Sequence, residues 1–159
     1  MTTFKPFLKG QLDSVLRNCI DQVRQKVHSE KSDYLLNVDE AEYIGHLVSE
    51  FHIEPPQINT EAKFITNEER MIEAERHPSA FFLDPGESYK RQVIIYHLPI
   101  TGDVEILNFK PNPSLLWTTE LTHETTSEGD FLLFDVVNFN NETETIKRAE
   151  NEVIGNLTK

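Results

Sequence analysis

The sequence predicts an α+β fold in which helices lie beside an antiparallel sheet. In two N-terminal stretches, apolar residues recur at steps of three and four, which is the period of an amphipathic helix. Between residues 81 and 139, short runs of β-branched and aromatic residues are separated by glycine, proline and asparagine, as in strands joined by turns. A last amphipathic stretch predicts a C-terminal helix. We expect the helices on one side or end of a sheet of about four to six strands.

The first helix is predicted from about residue 10 to residue 29. Seven residues at helical spacing form its apolar face: Leu12, Val15, Leu16, Cys19, Ile20, Val23 and Val27. The second helix is predicted from about residue 38 to residue 51, with Asn37 as its N-cap and Glu40 in capping-box position. Because Cys19 lies within the apolar stripe, we expect its thiol to be buried and unreactive.

The strand that begins at Ser88 is the expected centre of the sheet. It is apolar on both faces, which is typical of a strand covered on both sides. Five further runs predict strands: residues 63–66, 81–83, 104–109, 115–122 and 131–139. The last two are expected to form a hairpin. Residues 67–76 are highly charged, and we expect an exposed, mobile connection there.

The chain is predicted to form an α+β domain over residues 1–141, followed by a helix over residues 142–159 that leads towards a downstream region. Asn141 forms a capping-box pattern with Glu144 at the start of that helix. Because the helix reaches residue 159 without a proline stop, we expect more chain to follow it.

Ile146, Val153 and Leu157 form a narrow apolar stripe along the C-terminal helix. A short isolated helix is marginal in water, so this stripe must pack on something. We predict that the three residues form an interface with a second copy, with the N-terminal helix or with a continuing helical connector.

The charge distribution excludes some classes of partner. The chain of 159 residues has a net charge of −12. Residues 1–31 carry six basic and three acidic groups, whereas the remainder carries nine basic and 24 acidic groups. Such a surface repels phosphate backbones and anionic lipid, so we expect no direct nucleic-acid binding and no membrane partner.

Cysteine usage and the N-terminal residues bear on location and cofactors. The single cysteine excludes an intramolecular disulfide and a zinc site built from cysteines. No apolar leader or membrane-length apolar run is present in the sequence, so we predict a cytoplasmic protein. No pattern predicts a cofactor or a metal, and His46, Glu50 and His52 are more typical of solvated side chains at a helix end.

No nucleophile elbow or phosphate-binding glycine loop is recognisable, so a binding or assembly module is the first functional hypothesis. The alternative is a small stand-alone hydrolase-like enzyme that uses His97 and Asp135, which would share one face of the sheet if their strands pair. A weaker alternative is an acidic inhibitor that mimics nucleic acid. That role requires carboxylates spaced like phosphates along one face, and in the sequence they are scattered.

Three blocks of the chain resemble one bacterial family: residues 35–56, residues 89–103 and the terminal helix. The sequence is similar there to the N-terminal regions of uncharacterised bacterial proteins whose C-terminal part is a restriction-endonuclease-like nuclease domain. The family's nuclease motif, an aspartate followed by Glu-x-Lys in a strand, is absent from the strands predicted here, so no catalytic residue carries over. The resemblance implies a non-catalytic sensor or assembly module of a larger, defence-related protein. Its partner would be a second copy, a downstream domain of the same polypeptide or a protein ligand.

Overall fold

The computed structural model describes residues 1–112 and 117–158. In chain order its elements are β1 (Thr2–Phe4), β2 (Lys9–Gln11), α1 (Leu12–Ser29), α2 (Ser32–Asn37), α3 (Glu40–Phe51), β3 (Gln57–Ile58), β4 (Phe64–Glu73), β5 (Ser88–Thr101), β6 (Phe109–Lys110), β7 (Leu121–Thr126), β8 (Gly129–Asn138) and α4 (Thr143–Leu157). Six of the strands form a sheet in which all pairs are antiparallel. The predicted α+β class, with a C-terminal helix, is confirmed.

The chain divides into two compact units. Unit 1 consists of Met1–Lys5, Gln57–Thr101 and Trp117–Lys159, and it contains the six-stranded sheet and α4. Unit 2 consists of Pro6–Pro56 and Gly102–Leu116. It contains α1, α2, α3 and the parallel pair of β2 with β6.

β5 is central in unit 1, as its two apolar faces predict. The strand order is β1-β7-β8-β5, and both β3 and β4 pair with the other edge of β5. The most deeply buried side chains of the sheet are no more than 2% exposed, and they lie on β4, β5, β7 and β8: Ile72, Val93, Leu98, Leu121, Leu132 and Phe134. The predicted hairpin is also present, since β7 and β8 are joined by residues 127–128.

Helix α4 packs against the sheet of its own unit through the face that carries Tyr96. The Tyr96 ring stacks on Phe134 of β8, with ring centroids 4.7 Å apart. Its hydroxyl donates a hydrogen bond of 3.1 Å to the Glu150 carboxylate of α4, and Lys63 lies 3.4 Å from the same carboxylate. Val153, one turn further along α4, is only 6% exposed.

This environment predicts a loss of stability at high pH that depends on Tyr96. Burial, and then the neighbouring Glu150 charge, raises the pKa of Tyr96 to about 12. The folded protein therefore retains a proton that an unfolded tyrosine releases near pH 10. The stabilising effect is complete below pH 10 and is lost as the pH rises towards 12. We expect the free energy of unfolding to decline over that range, and to decline less in Tyr96→Phe, when urea unfolding is measured at a series of pH values.

Residues 67–76 do not form the exposed connection that their charge suggests. Most of them belong to β4, which pairs with β5 in continuous register from Phe64↔His97 to Glu73↔Ser88. The charged side chains stand on an exposed edge strand and pair with neighbouring strands, as Glu69 does with Lys90. Charged residues are suited to a sheet edge because they discourage pairing with other chains, and here they are compatible with a strand that pairs along its whole length.

Other predicted strands are wrong in detail. Residues 104–108 form a 3-10 helix, and only Phe109 and Lys110 pair, as β6 with β2. Residues 79–81 also form a 3-10 helix, which ends at Phe82 in the left-handed conformation. In the predicted strand at 115–122, Leu115 lies outside the described residues, and β7 begins only at Leu121.

Neither asparagine that we predicted as an N-cap serves as one. The cap of α3 is Asp39, whose carboxylate accepts a 2.9 Å hydrogen bond from the Glu42 amide. Asn37 instead ends the additional short helix α2, and its side chain bonds to the Asp33 carbonyl. Asn141 lies before α4 with a φ of 58°. Helix α3 therefore begins three residues after its predicted cap, Asn37, and α4 begins two residues after its predicted cap, Asn141.

In unit 2, two hydrogen bonds join the end of the segment Pro6–Pro56 to the start of the segment Gly102–Leu116. The Glu54 amide donates to the Asp103 carboxylate, and the Asp103 amide donates to the Glu54 carbonyl, both at 2.8 Å. Gly102, with a φ of +85°, brings its backbone directly against Pro55. A glycine is needed here because both the positive φ and the close approach exclude a side chain.

Candidate functional site

His97 and Asp135 lie on one face of the sheet, but each is bound to other groups. Their strands pair so that His97 is opposite Leu133 and Asp135 is opposite Ile95, which puts all four side chains on the same face. His97 stacks on Phe64, with ring centroids 4.4 Å apart, and its Nε2 shares a 2.9 Å hydrogen bond with the Thr66 hydroxyl.

Asp135 is held by a cation from β4. The Arg70 guanidinium donates to its carboxylate at 2.5 Å and also to Glu68. These two carboxylates, Asp135 first, raise the pKa of Arg70. Within the part of the chain that the structure describes, no hydrogen bond joins His97 to Asp135. His97 and Asp135 therefore each have a different partner, whereas the base and orienting group of a hydrolase would be hydrogen-bonded to each other.

The predicted interface residues of α4 are used within unit 1. Val153 is buried, and α4 lies on β8. Ile146 and Leu157 are half-buried. The stripe therefore has a partner in its own unit, and it presents less apolar surface than the sequence pattern suggests.

An exposed apolar surface of unit 2 lies between α1 and α3. Four aliphatic side chains on the two helices are strongly exposed, namely Leu16 (44%), Ile20 (52%), Ile44 (51%) and Val48 (59%). They border a groove of about 590 Å³ that is also lined by Cys19, Val23, Leu47, Phe51, His52 and Ile53. We call this feature the α1–α3 groove.

Three side-chain contacts hold the helices that form the groove. Lys26 of α1 pairs with Glu50 of α3, and this carboxylate raises the pKa of Lys26. The Cys19 thiol donates to the Phe51 carbonyl at 3.4 Å. Tyr43 is the buried residue of α3, and its hydroxyl donates to Glu30 at 3.4 Å. The Cys19–Phe51 contact lies within the groove lining, and Leu16, Ile20, Ile44 and Val48 stay exposed beside it.

Cys19 is not buried as the sequence suggested. Its exposure is intermediate, and no residue of α1 is buried. The amphipathic pattern identified the apolar face of α1 correctly, but only part of that face packs on α3. The prediction of a buried thiol was therefore wrong, because a helical period shows which residues share a face and not what covers the face.

A second cavity, of about 730 Å³, lies in unit 1 and has mostly polar walls. Threonine side chains from β1, β7 and the segment before β7 contribute hydroxyl groups. Two pairs of its charged groups neutralise each other, since Lys5 lies 3.6 Å from Glu120 and Arg70 is bound to Asp135, and Arg76 is the fifth charged residue of the lining. This pairing leaves little net charge for an ionic ligand, so the cavity is a weaker candidate than the α1–α3 groove.

No protein-family model, curated protein or solved structure matches the chain. Among the residues that the structure describes, no three histidine, cysteine or carboxylate side chains are grouped as metal ligands. In the same residues, no helix is long and apolar enough to cross a membrane.

Small residues along α3 are a signal of the groove that is visible in the sequence. Ala41, Gly45 and Ser49 follow each other at steps of four along α3, beside Ile44 and Val48. Small residues at this spacing allow another helix to approach closely, whereas a solvated helix face more often carries long charged side chains.

Proposed function

We propose that this chain is a non-catalytic assembly module that binds a protein surface through the α1–α3 groove. The observation that carries the proposal is the exposure of Leu16, Ile20, Ile44 and Val48 on two adjacent helices. Contiguous apolar surface of this kind, rimmed by polar residues, marks interaction sites on soluble proteins. Covering it releases roughly 25 cal/mol for each square ångström of apolar area removed from water.

The geometry gives less support to the other two functions. A hydrolase would need His97 and Asp135 to act together, and each is bound to a different residue of β4. An acidic mimic of nucleic acid would need unpaired carboxylates in a row. Several carboxylates here are paired with nearby cations instead, among them Asp13, Glu50, Glu69 and Asp135.

The wider context of the module is also a proposal. Residue patterns that resemble the N-terminal regions of bacterial nuclease-like proteins suggest a larger, defence-related protein in the cytoplasm. In that setting, the module would bring copies of the protein, or a protein ligand, to a downstream effector. The groove, rather than the α4 stripe, would provide the contact, because α4 is packed on its own sheet.

The double variant Ile44→Glu/Val48→Glu tests the proposal. Both side chains are exposed, so we expect the circular dichroism spectrum and the thermal midpoint to change little. If the wild-type groove is open, it should bind an apolar fluorescent dye such as anilinonaphthalene sulfonate. If another protein chain occupies it, light scattering should give a molar mass greater than that of a single chain. We expect the double variant to lose whichever of the two the wild type shows.

The matched control is Ile65→Glu/Met71→Glu, which replaces two equally exposed apolar residues of β4 in unit 1. It should behave as the wild type does in both measurements. If the groove variant and the wild type have the same dye binding and the same molar mass, the groove is not a binding surface and the proposal is wrong.

A further inference from the structure

We infer that the polar cavity of unit 1 binds a small hydroxylated carboxylic acid with one negative charge, and that Arg76 receives its carboxylate. We call this cavity, of about 730 Å³, the Arg76 cavity. All of its lining residues belong to unit 1, so the site is separate from the α1–α3 groove and from the assembly role proposed for that groove.

Arg76 is the charged lining residue that has no ionic partner. Five charged residues line the cavity, and four of them form two pairs, namely Lys5 with Glu120 at 3.6 Å and Arg70 with Asp135 at 2.5 Å. Within residues 1–112 and 117–158, the Arg76 side chain forms no ion pair and no hydrogen bond. Its positive charge is therefore left for a ligand.

The position of Arg76 in the fold keeps its guanidinium available. The residue ends the 3-10 helix Ala74–Arg76, which follows directly on β4. The adjacent carboxylate, Glu75, accepts a 2.8 Å hydrogen bond from the Gly86 amide. An arginine presents parallel N–H donors that match the two oxygens of a carboxylate, so a bound carboxylate can accept two hydrogen bonds from it.

The charges around the cavity select a singly charged ligand. The lining holds three basic and two acidic residues, whereas unit 1 as a whole holds nine basic and 16 acidic ones. Glu68, which is not a lining residue, also binds Arg70 and adds negative charge nearby. A carboxylate needs only Arg76 to balance it. A phosphate monoester carries about −1.5 to −2 at pH 7, and its extra charge would be repelled by these carboxylates.

The hydroxyl groups of the lining select a hydroxylated ligand. Four threonines line the cavity: Thr3, Thr118, Thr119 and Thr122. Thr3 and Thr122 share a 3.1 Å hydrogen bond, whereas among the described residues the Thr118 and Thr119 hydroxyls have no partner. Each hydroxyl can both donate and accept, as ligand hydroxyls do. Leu133, which is 9% exposed, offers an apolar contact for the carbon chain.

Gluconate is the probe for this site, because it combines one carboxylate with a hydroxyl on every other carbon. Sorbitol has the same carbon chain without the carboxylate, and hexanoate has the carboxylate without the hydroxyls. By isothermal titration calorimetry of the full chain, we expect gluconate to bind with a dissociation constant below about 1 mM. Sorbitol and hexanoate should each bind at least about 10-fold more weakly.

Arg76→Gln should raise the dissociation constant of gluconate at least about 10-fold, because it removes the charge that balances the carboxylate. Arg148→Gln is the matched control. It removes the same charge from an exposed position of α4 that does not line the cavity, so it should bind gluconate as the wild type does. Arg76→Lys keeps the charge but loses the paired donors, and its affinity should lie between those of the wild type and Arg76→Gln.

A wild type that binds no gluconate at up to about 10 mM overturns the inference. Equal binding of gluconate and either comparison compound also overturns it, as does equal weakening by Arg76→Gln and Arg148→Gln. If Arg76→Gln does not fold, as circular dichroism will show, gluconate binding by Arg76→Lys at wild-type affinity overturns it instead. The groove variant Ile44→Glu/Val48→Glu should bind gluconate normally, so failure of this site and failure of the assembly function can be told apart.

Discussion

Replacement of Gly102 by alanine is expected to lower the free energy of unfolding by about 2–4 kcal/mol. The residue has a φ of +85°, and an added Cβ would lie 2.9 Å from the carbonyl carbon of Pro55 and still closer to its oxygen. A left-handed conformation costs an L-residue about 1–2 kcal/mol, and relief of the clash requires the backbone to move. That movement disturbs the paired hydrogen bonds between Glu54 and Asp103. Urea unfolding followed by circular dichroism measures the effect.

Gly86→Ala is the matched control for this substitution. Its φ is +83°, nearly the same as that of Gly102, but an added Cβ would meet no atom within 4 Å. Gly86→Ala therefore measures only the cost of the left-handed backbone conformation, and we expect it to lower the free energy of unfolding by only about 1–2 kcal/mol. Equal losses for the two variants would show that Gly102 is selected for its backbone conformation alone and that the contact with Pro55 has no energetic role.

Val153→Glu is expected to destabilise unit 1 by about 3 kcal/mol or more. The side chain is 6% exposed where α4 covers the sheet, and a carboxylate there would lose its hydration. The substitution also places a third acidic group beside Glu150 and Glu152 on α4. A lowered thermal midpoint, with no change in the molar mass of the folded protein, is the expected result.

Leu157→Glu provides the comparison, because that side chain is half-buried in the last turn of α4. A carboxylate there can reach water, so the loss should stay below about 1 kcal/mol. Should Val153→Glu leave stability unchanged and lower the molar mass, Val153 would belong to an interface between chains. That outcome would mean that α4 provides the assembly surface, as the sequence pattern predicts.

Sequence patterns identified most of the sheet but failed where backbone pairing and composition disagree. β5 and β8 were predictable, because β-branched and aromatic residues dominate both strands, whereas β7 was predicted too early in the chain. The predicted strand at 63–66 covers only the start of β4; the rest was not predictable, because Glu68, Glu69 and Arg70 carry no apolar alternation. Only the ten-residue pairing with β5 reveals it as a strand, and that pairing is a non-local property.

The candidate site was half predictable for a similar reason. Helical periodicity correctly grouped Leu16 with Ile20 on one face of α1, but the burial expected for Cys19 on that face was wrong. Whether an apolar face is covered depends on how many other elements pack on it, and periodicity contains no such information. His97 and Asp135 show the reverse error, since their shared face was anticipated correctly while the β4 residues that bind them were not.

The pairing of β1 with β7 has a consequence for the order in which the chain acquires its structure during synthesis. Thr3 and Thr122 face each other across this pair, and they are separated by 119 residues. A ribosome releases β1 first, yet its partner strand emerges only after all three helices of unit 2 and the central strand. Those helices depend on contacts between near neighbours and can form early, whereas β1 must remain unpaired until late. A tag fused before β1 would therefore be attached to a strand that has no partner through most of synthesis.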